Sequence, residues 1–194
     1  QNAFTLDRVV KAAAGLDPDK LMSYQAYWMS ELSADEKVAG CADFLSRAGL
    51  IPESPDAEML TRVAAVVELA ADRLRVFGDI LSMDEFFVSS DQLVFDEKEF
   101  QKRVVKPAEA VDLLRDVRHI LADVESFSAE TLHDAVNGFV EGRELKFGQI
   151  APALRLSITG KAKGADLFPT LEFLGRDECL ARLDKAIGSA ESQR

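Results

Sequence analysis

Between Arg143 and Lys163 the chain carries five basic residues, Arg143, Lys146, Arg155, Lys161 and Lys163, and a single acid, Glu144. The local balance is about +4 on a chain whose formal net charge is −11, which leaves about −15 on the rest. Charge segregated in this way repels phosphate in general and attracts a polyanion presented to one face. The first chemistry this chain points to is therefore recognition of a phosphate backbone. An ordinary solvated helix and loop with a few lysines has the same composition, and charge alone does not separate the two.

Catalysis finds no comparable support. His119 and His133 each lack a second ligand at i+3 or i+4, so neither starts a metal motif, and each reads as a surface or boundary histidine. The TGKAKG run at 159–164 has the outline of a phosphate loop. Arg155, however, stands where GxxxxGK[ST] needs its first glycine, and Ala162 replaces the hydroxyl residue. Neither GxGxxG nor GxSxG occurs, which removes a dinucleotide cradle and a nucleophile elbow. The carboxylates lie on amphipathic patterns that normally keep them solvated, and none stands out as a buried pair. No metal site, cofactor site or catalytic residue is expected in this chain.

The elements that must position the basic island read as helices throughout. Asp17–Pro18 is an N-cap with proline at the first helical position, and Leu21, Tyr24, Trp28 and Leu32 follow on one face. Ser33 and Glu36 have capping-box spacing for a second helix running to Gly49. Met59, Val63, Val67 and Ala70 predict a long helix from Asp56 to about Arg75, closed by Gly78. The 86–95 stretch shows no period and is expected to be an extended loop turning its phenylalanines inward. Pro107 in a first turn, then Val111, Leu114, Val117, Leu121 and Val124, predict the next helix. Ser128 caps another to Gly142, and the basic island is a helix interrupted or kinked at Pro152. Short helices at 168–174 and 177–187, stopped by Gly175 and Gly188, precede a frayed tail from Ser189. The expected fold is all-α, a helical array of two packed subdomains, with divisions at 1–32, 33–105 and 106–194.

A chain of 194 residues with 47% hydrophobic and 29% charged content can bury roughly 70% of its unfolded surface and form a normal core. Cys41 and Cys179 lie far apart and outside any CxxC pair, so both read as small buried hydrophobes in a reducing compartment. No apolar run approaches the roughly 18 residues a membrane span needs, and no leader pattern opens the sequence. A cytoplasmic monomer without membrane contact is expected.

Two motifs carry a family resemblance. FTLDRVVKAAAGLDPDKL, Phe4 to Leu21, resembles the F-S/T-L-E/D-R-V…K…FDPEKL run that follows the catalytic core of bacterial glutamyl-tRNA synthetases. KFGQIAPALRLSITG, then LFPTLEFLGRDECLARLDKAI, resembles that family's closing K-x-G-x-x-x-x-x-L-R-x-x-L-T-G and F-x-x-L-x-x-L-G-K-E-x-x-x-x-R-L. The two motifs are unrelated and stand in the family's order, with a helical pattern between them. The resemblance implies the end of the stem-contact region and the helical anticodon-binding region of a class I synthetase. ATP-dependent glutamylation, with its ATP and magnesium, then belongs to a catalytic domain outside this chain. Neither a HIGH-type nor a KMSKS-type signature is found here, and KLMS at 20–23 lacks the second lysine.

The resemblance also assigns residues. Arg73 falls where such enzymes place an arginine that reads the third anticodon base, with Arg75 as the neighbour in an alternative register. A guanidinium offers paired donors to base-edge acceptors. Arg155, Thr159 and Gln149 belong to the closing segment that lines the anticodon pocket. Lys146, Lys161 and Lys163 are expected on phosphates, and Phe147 and Phe168 are candidates for base stacking, each with core packing as its other role. The implied partner is glutamate transfer RNA, with the glutamine isoacceptor left open. Ser23 and Gln25 replace a tryptophan and an asparagine of the family pattern, which weakens any role for that helix at the inner corner of the RNA. The other reading of the whole chain is a helical protein-interaction scaffold with acidic faces.

Overall fold

The computed structural model describes residue 15 and residues 17–193. Every regular element among them is helical. The Phe4–Leu21 motif lies largely outside the described residues. α1 (Pro18–Glu31) starts where Asp17 accepts from the backbone N–H groups of Asp19 and Lys20. α2 (Ala34–Arg47) opens on a complete capping box: Ser33 Oγ accepts from the Glu36 N–H at 3.3 Å and Glu36 Oε2 accepts from the Ser33 N–H at 2.9 Å. Asp56 caps α3 (Ala57–Ala70) by a single bond, its Oδ1 accepting from the Met59 N–H at 2.8 Å.

α3 ends earlier than its periodicity predicts. Ala71 adopts φ 46°, a 3-10 turn follows over Ala71–Arg73, and the break swings Leu74 into the core beside Ala70. Further 3-10 turns over Phe77–Phe86 bury Ile80, Met83 and Phe86, so helical turns reach the start of the stretch expected to be extended. A short α4 (Glu97–Phe100) runs into a π turn (Gln101–Val105), and α5 (Ala110–Asp123) starts three residues after Pro107. Ser128 caps α6 (Ala129–Gly142).

α7 (Phe147–Thr159) runs unbroken through Pro152. The missing N–H would have met the carbonyl of Gly148, which is exposed to water, so the loss is tolerated. α8 (Leu167–Leu174) ends at Gly175, φ 80°. α9 (Arg176–Glu191) continues past Gly188, where the sequence predicted a stop, because Ala190 is fully buried and docks the last turn.

One core gathers Met29, Cys41, Leu45, Val63, Val66, Ile80 and Phe86 from α1–α3 and the 3-10 turns. The second gathers Val104, Leu114, Val117, Leu132, Leu154 and Leu183 from the remaining helices. Three features join them. Ala165, in the loop after α7, is buried in the first core; Leu174 packs against both; and Phe173 of α8 sits edge-on to Phe86 at 5.2 Å. The loop of the basic island is thereby pinned against the 3-10 turns.

Candidate nucleic-acid interface

An open cleft of about 580 Å³ lies along this joint, lined by Arg73, by Leu81 to Glu85, and by Lys161, Lys163 and Gly164. Its two walls come from distant parts of the chain. Arg73 is delivered by the turn that breaks α3, and its Nη2 lies 3.3 Å from Asp166 Oδ1 on the opposite wall. Arg155, on the last turns of α7, donates through Nη1 to the carbonyl of Ala165 in the loop that carries Lys161 and Lys163. Gly164 brings the loop backbone beside both walls: a Cβ on it would lie in ordinary contact, 3.6 Å from Glu85 Oε1 and 3.9 Å from Arg155 Nη1.

Burial lowers the pKa of the Arg155 guanidinium; the Arg73 charge also lowers it, while Asp166 and Glu85 oppose the shift. Arg155 therefore feels the charge of Arg73, and Asp166 neighbours both guanidinium groups. Lys161 is held differently. Its Nζ donates to Glu85 Oε2 at 2.6 Å, to the Ser82 carbonyl at 2.5 Å and to Asp84 Oδ1. Burial would lower its pKa, but the hydrogen bonds and charges of Asp84 and Glu85 raise it, so the ammonium stays charged. Glu85 is 2% exposed, and burial raises its pKa against the pull of Lys161. Lys163 lines the cleft, is exposed, and forms no ion pair with any described residue.

The structure brings four of the sequence-assigned residues together: Arg73, Arg155, Lys161 and Lys163. Thr159 is adjacent but buried. Its hydroxyl lies 2.9 Å from the Arg155 carbonyl and 3.1 Å from that of Lys161, and it accepts from the Lys161 N–H at 3.2 Å. The threonine hydroxyl is thus engaged in shaping the turn that leads to Lys161. Lys161, assigned by resemblance to a phosphate, is paired here with two carboxylates. Arg75 is exposed and does not line the cleft.

Lys146, Phe147, Gln149 and Phe168 gather elsewhere. Gln149 Oε1 accepts from the Lys146 N–H at 2.7 Å to cap the start of α7, roughly 18 Å along the helix from Thr159. Phe147 and Phe168 lie 5.7 Å apart and pack against the second core, and Phe168 also meets the His133 ring edge-on at 5.1 Å. The basic run is thus two sites in space. Sequence reasoning missed Asp84, Glu85 and Asp166. The acid beside the apolar run in MDEFFV was the one available signal.

The model of the family described as "Anticodon binding domain" matches residues 36–187. The chain belongs to this family. Relatives include the glutamate–tRNA ligase of Moorella thermoacetica, 31% identical over 94% of this chain and 37% of its own length. That of Roseiflexus castenholzii is 32% identical over 95% of this chain and 36% of its own length. The chain thus spans a little over a third of the relatives it matches. The solved glutamate tRNA ligase from Elizabethkingia meningosepticum superposes with a TM-score of 0.74 at 22% identity, over 96% of this chain and 35% of that one. That from Elizabethkingia anophelis gives 0.70. The all-helical fold expected of an anticodon binding domain is the fold found. No helix among the described residues is long and apolar enough to cross a membrane.

Proposed function

We propose that the chain binds the anticodon arm of glutamate transfer RNA and supplies RNA specificity to a glutamate–tRNA ligase. The observation that carries this reading is the convergence of Arg73, which lines a cleft between two helical cores, and Arg155, whose guanidinium lies beside the cleft's Gly164, next to a Lys163 that forms no ion pair with any described residue. Guanidinium forks suit base-edge acceptors, and a lysine at the rim suits a phosphate. Glutamate activation, with ATP and magnesium, falls on this reading to the part of such ligases that the chain does not match. The protein acts as a cytoplasmic monomer, and its cleft decides whether the glutamine isoacceptor is also accepted.

Titration with an anticodon stem-loop of glutamate transfer RNA across a salt series tests the reading. Binding should weaken as salt rises. Arg73→Ala should cost about 1–3 kcal/mol against the cognate loop and relax discrimination at one base. Absent or salt-insensitive binding would favour a protein-interaction scaffold, and equal loss on every anticodon variant would refute the role of Arg73.

A further inference from the structure

Taking the cleft as the RNA-reading site, we infer that Arg182, which lies behind it, is a positioning residue that holds its two walls in register. Arg182 is on α9 and is 0% exposed. Its Nη1 donates to the carbonyl of Ile158 at 2.8 Å, and its Nη2 to the carbonyls of Glu85 at 2.9 Å and Val88 at 2.8 Å. Nε donates to Glu178 Oε1 at 2.7 Å, which balances the charge.

Ile158 directly precedes the turn that carries Lys161 and Lys163. Glu85 belongs to the opposite wall, where its carboxylate meets Lys161. One planar, rigid fork therefore grips both walls by their backbones. A hydrophobic residue of similar size would fill the space more cheaply than a buried cation, but it would leave three carbonyls without donors. Lys185, the next polar residue inward on α9, extends the grip: its Nζ donates to the carbonyls of Ser90, Asp91 and Leu93. That segment leads to Val94, against which Gly160 packs. Base discrimination needs donors held to within about 0.5 Å. Inside the cleft the walls are bridged by side-chain ion pairs, Lys161 with Asp84 and Glu85 and Arg73 with Asp166, whereas Arg182 bonds the backbone carbonyls of both walls through one buried group.

The test uses the full chain with two probes, the anticodon stem-loop of glutamate transfer RNA and the same loop with its third anticodon base changed. The ratio of their affinities is the readout. Arg182→Lys keeps the charge but not the fork, and should weaken cognate binding roughly tenfold while barely changing the mismatched loop, so that the ratio falls toward one. Hydrogen exchange should quicken at 85–90 and 158–163 and stay unchanged in α5. Leu183→Ala, a core truncation on the same helix, should lower the thermal midpoint and keep the ratio. An unchanged ratio in Arg182→Lys, or an equal fall in Leu183→Ala, overturns the inference. Should Arg182→Lys fail to fold, Lys185→Met replaces it, a narrowed ratio supporting the inference and a wild-type ratio overturning it. If the unmodified chain does not distinguish the two loops, the RNA reading fails in that first arm and this inference with it, whereas a discriminating chain with indifferent variants sinks the role of Arg182 alone.

Discussion

Replacing Gly160 by alanine strikes the turn on which Lys161 and Lys163 depend. Gly160 closes α7 at φ 74° and ψ −4°, a left-handed conformation that costs an L residue about 1–2 kcal/mol. A methyl there would also stand 2.2 Å from the carbonyl oxygen of Val94, a backbone atom that cannot rotate aside. Moving one of the two segments to relieve that overlap costs about 1–3 kcal/mol more. The move also strains the hydrogen bond that the Asp96 N–H donates to the Gly160 carbonyl at 2.8 Å. Gly160→Ala should therefore destabilise the chain by about 2–5 kcal/mol, lowering the thermal midpoint by about 5–20 °C. Urea titration followed by circular dichroism measures the first quantity, and a thermal scan the second. A variant within about 0.5 kcal/mol of the parent, with an unchanged urea slope, would refute both the left-handed turn and its close approach to Val94.

Two further substitutions test the packing and the charge of the first core. Gly40→Ala on α2 gains about 1 kcal/mol of helix propensity, but its Cβ would meet the Phe77 ring at 2.5 Å, and an overlap of about 1–3 kcal/mol outweighs the gain; a raised melting temperature would contradict this. Glu85→Gln removes a carboxyl whose folded pKa lies above its unfolded value because of burial. In the window just above 4.5 the folded state binds more protons through Glu85 than the unfolded chain does, so that carboxyl makes stability fall as pH rises. Urea midpoints compared from about pH 4.5 upward should show the parent gaining on Glu85→Gln as pH is lowered, and parallel curves would sink the assignment.

Helix starts were legible because their causes are local. Asp17, Ser33, Asp56 and Ser128 each accept from an N–H two or three residues ahead, an arrangement sequence spacing encodes directly. Helix ends were less legible because distant packing sets them. The Ala71 break places Leu74 in the core, and the burial of Ala190 carries α9 past a glycine. The 86–95 stretch had no period for a related reason. Its carbonyls, from Phe86 through Val88 to Leu93, are met by Arg62, Arg182 and Lys185 from helices remote in sequence. Backbone satisfied in this way needs no repeating pattern of its own. Both cysteines are buried free thiols as expected, with burial pushing Cys41 up to about 11 and Cys179 up to about 12.

The same folding changes what the basic island can do. As sequence, it is a block of about +4, suited to long-range attraction of phosphate. In space, the cleft places Arg73, Arg155, Lys161 and Lys163 among Asp84, Glu85 and Asp166, leaving about +1. Cations already paired with carboxylates release few counterions when RNA arrives, so phosphate attraction is weak and the overall charge of −11 adds repulsion. Affinity must then come mainly from directional bonds to unstacked bases, which favours discrimination over general binding. Lys163 alone among these cations has no ion-pair or hydrogen-bond partner among the described residues to give up. One or two phosphate contacts of this kind imply a shallow log–log salt slope of about −1 for single-stranded RNA; a slope of several units would mean that the Lys161 pairs open on binding.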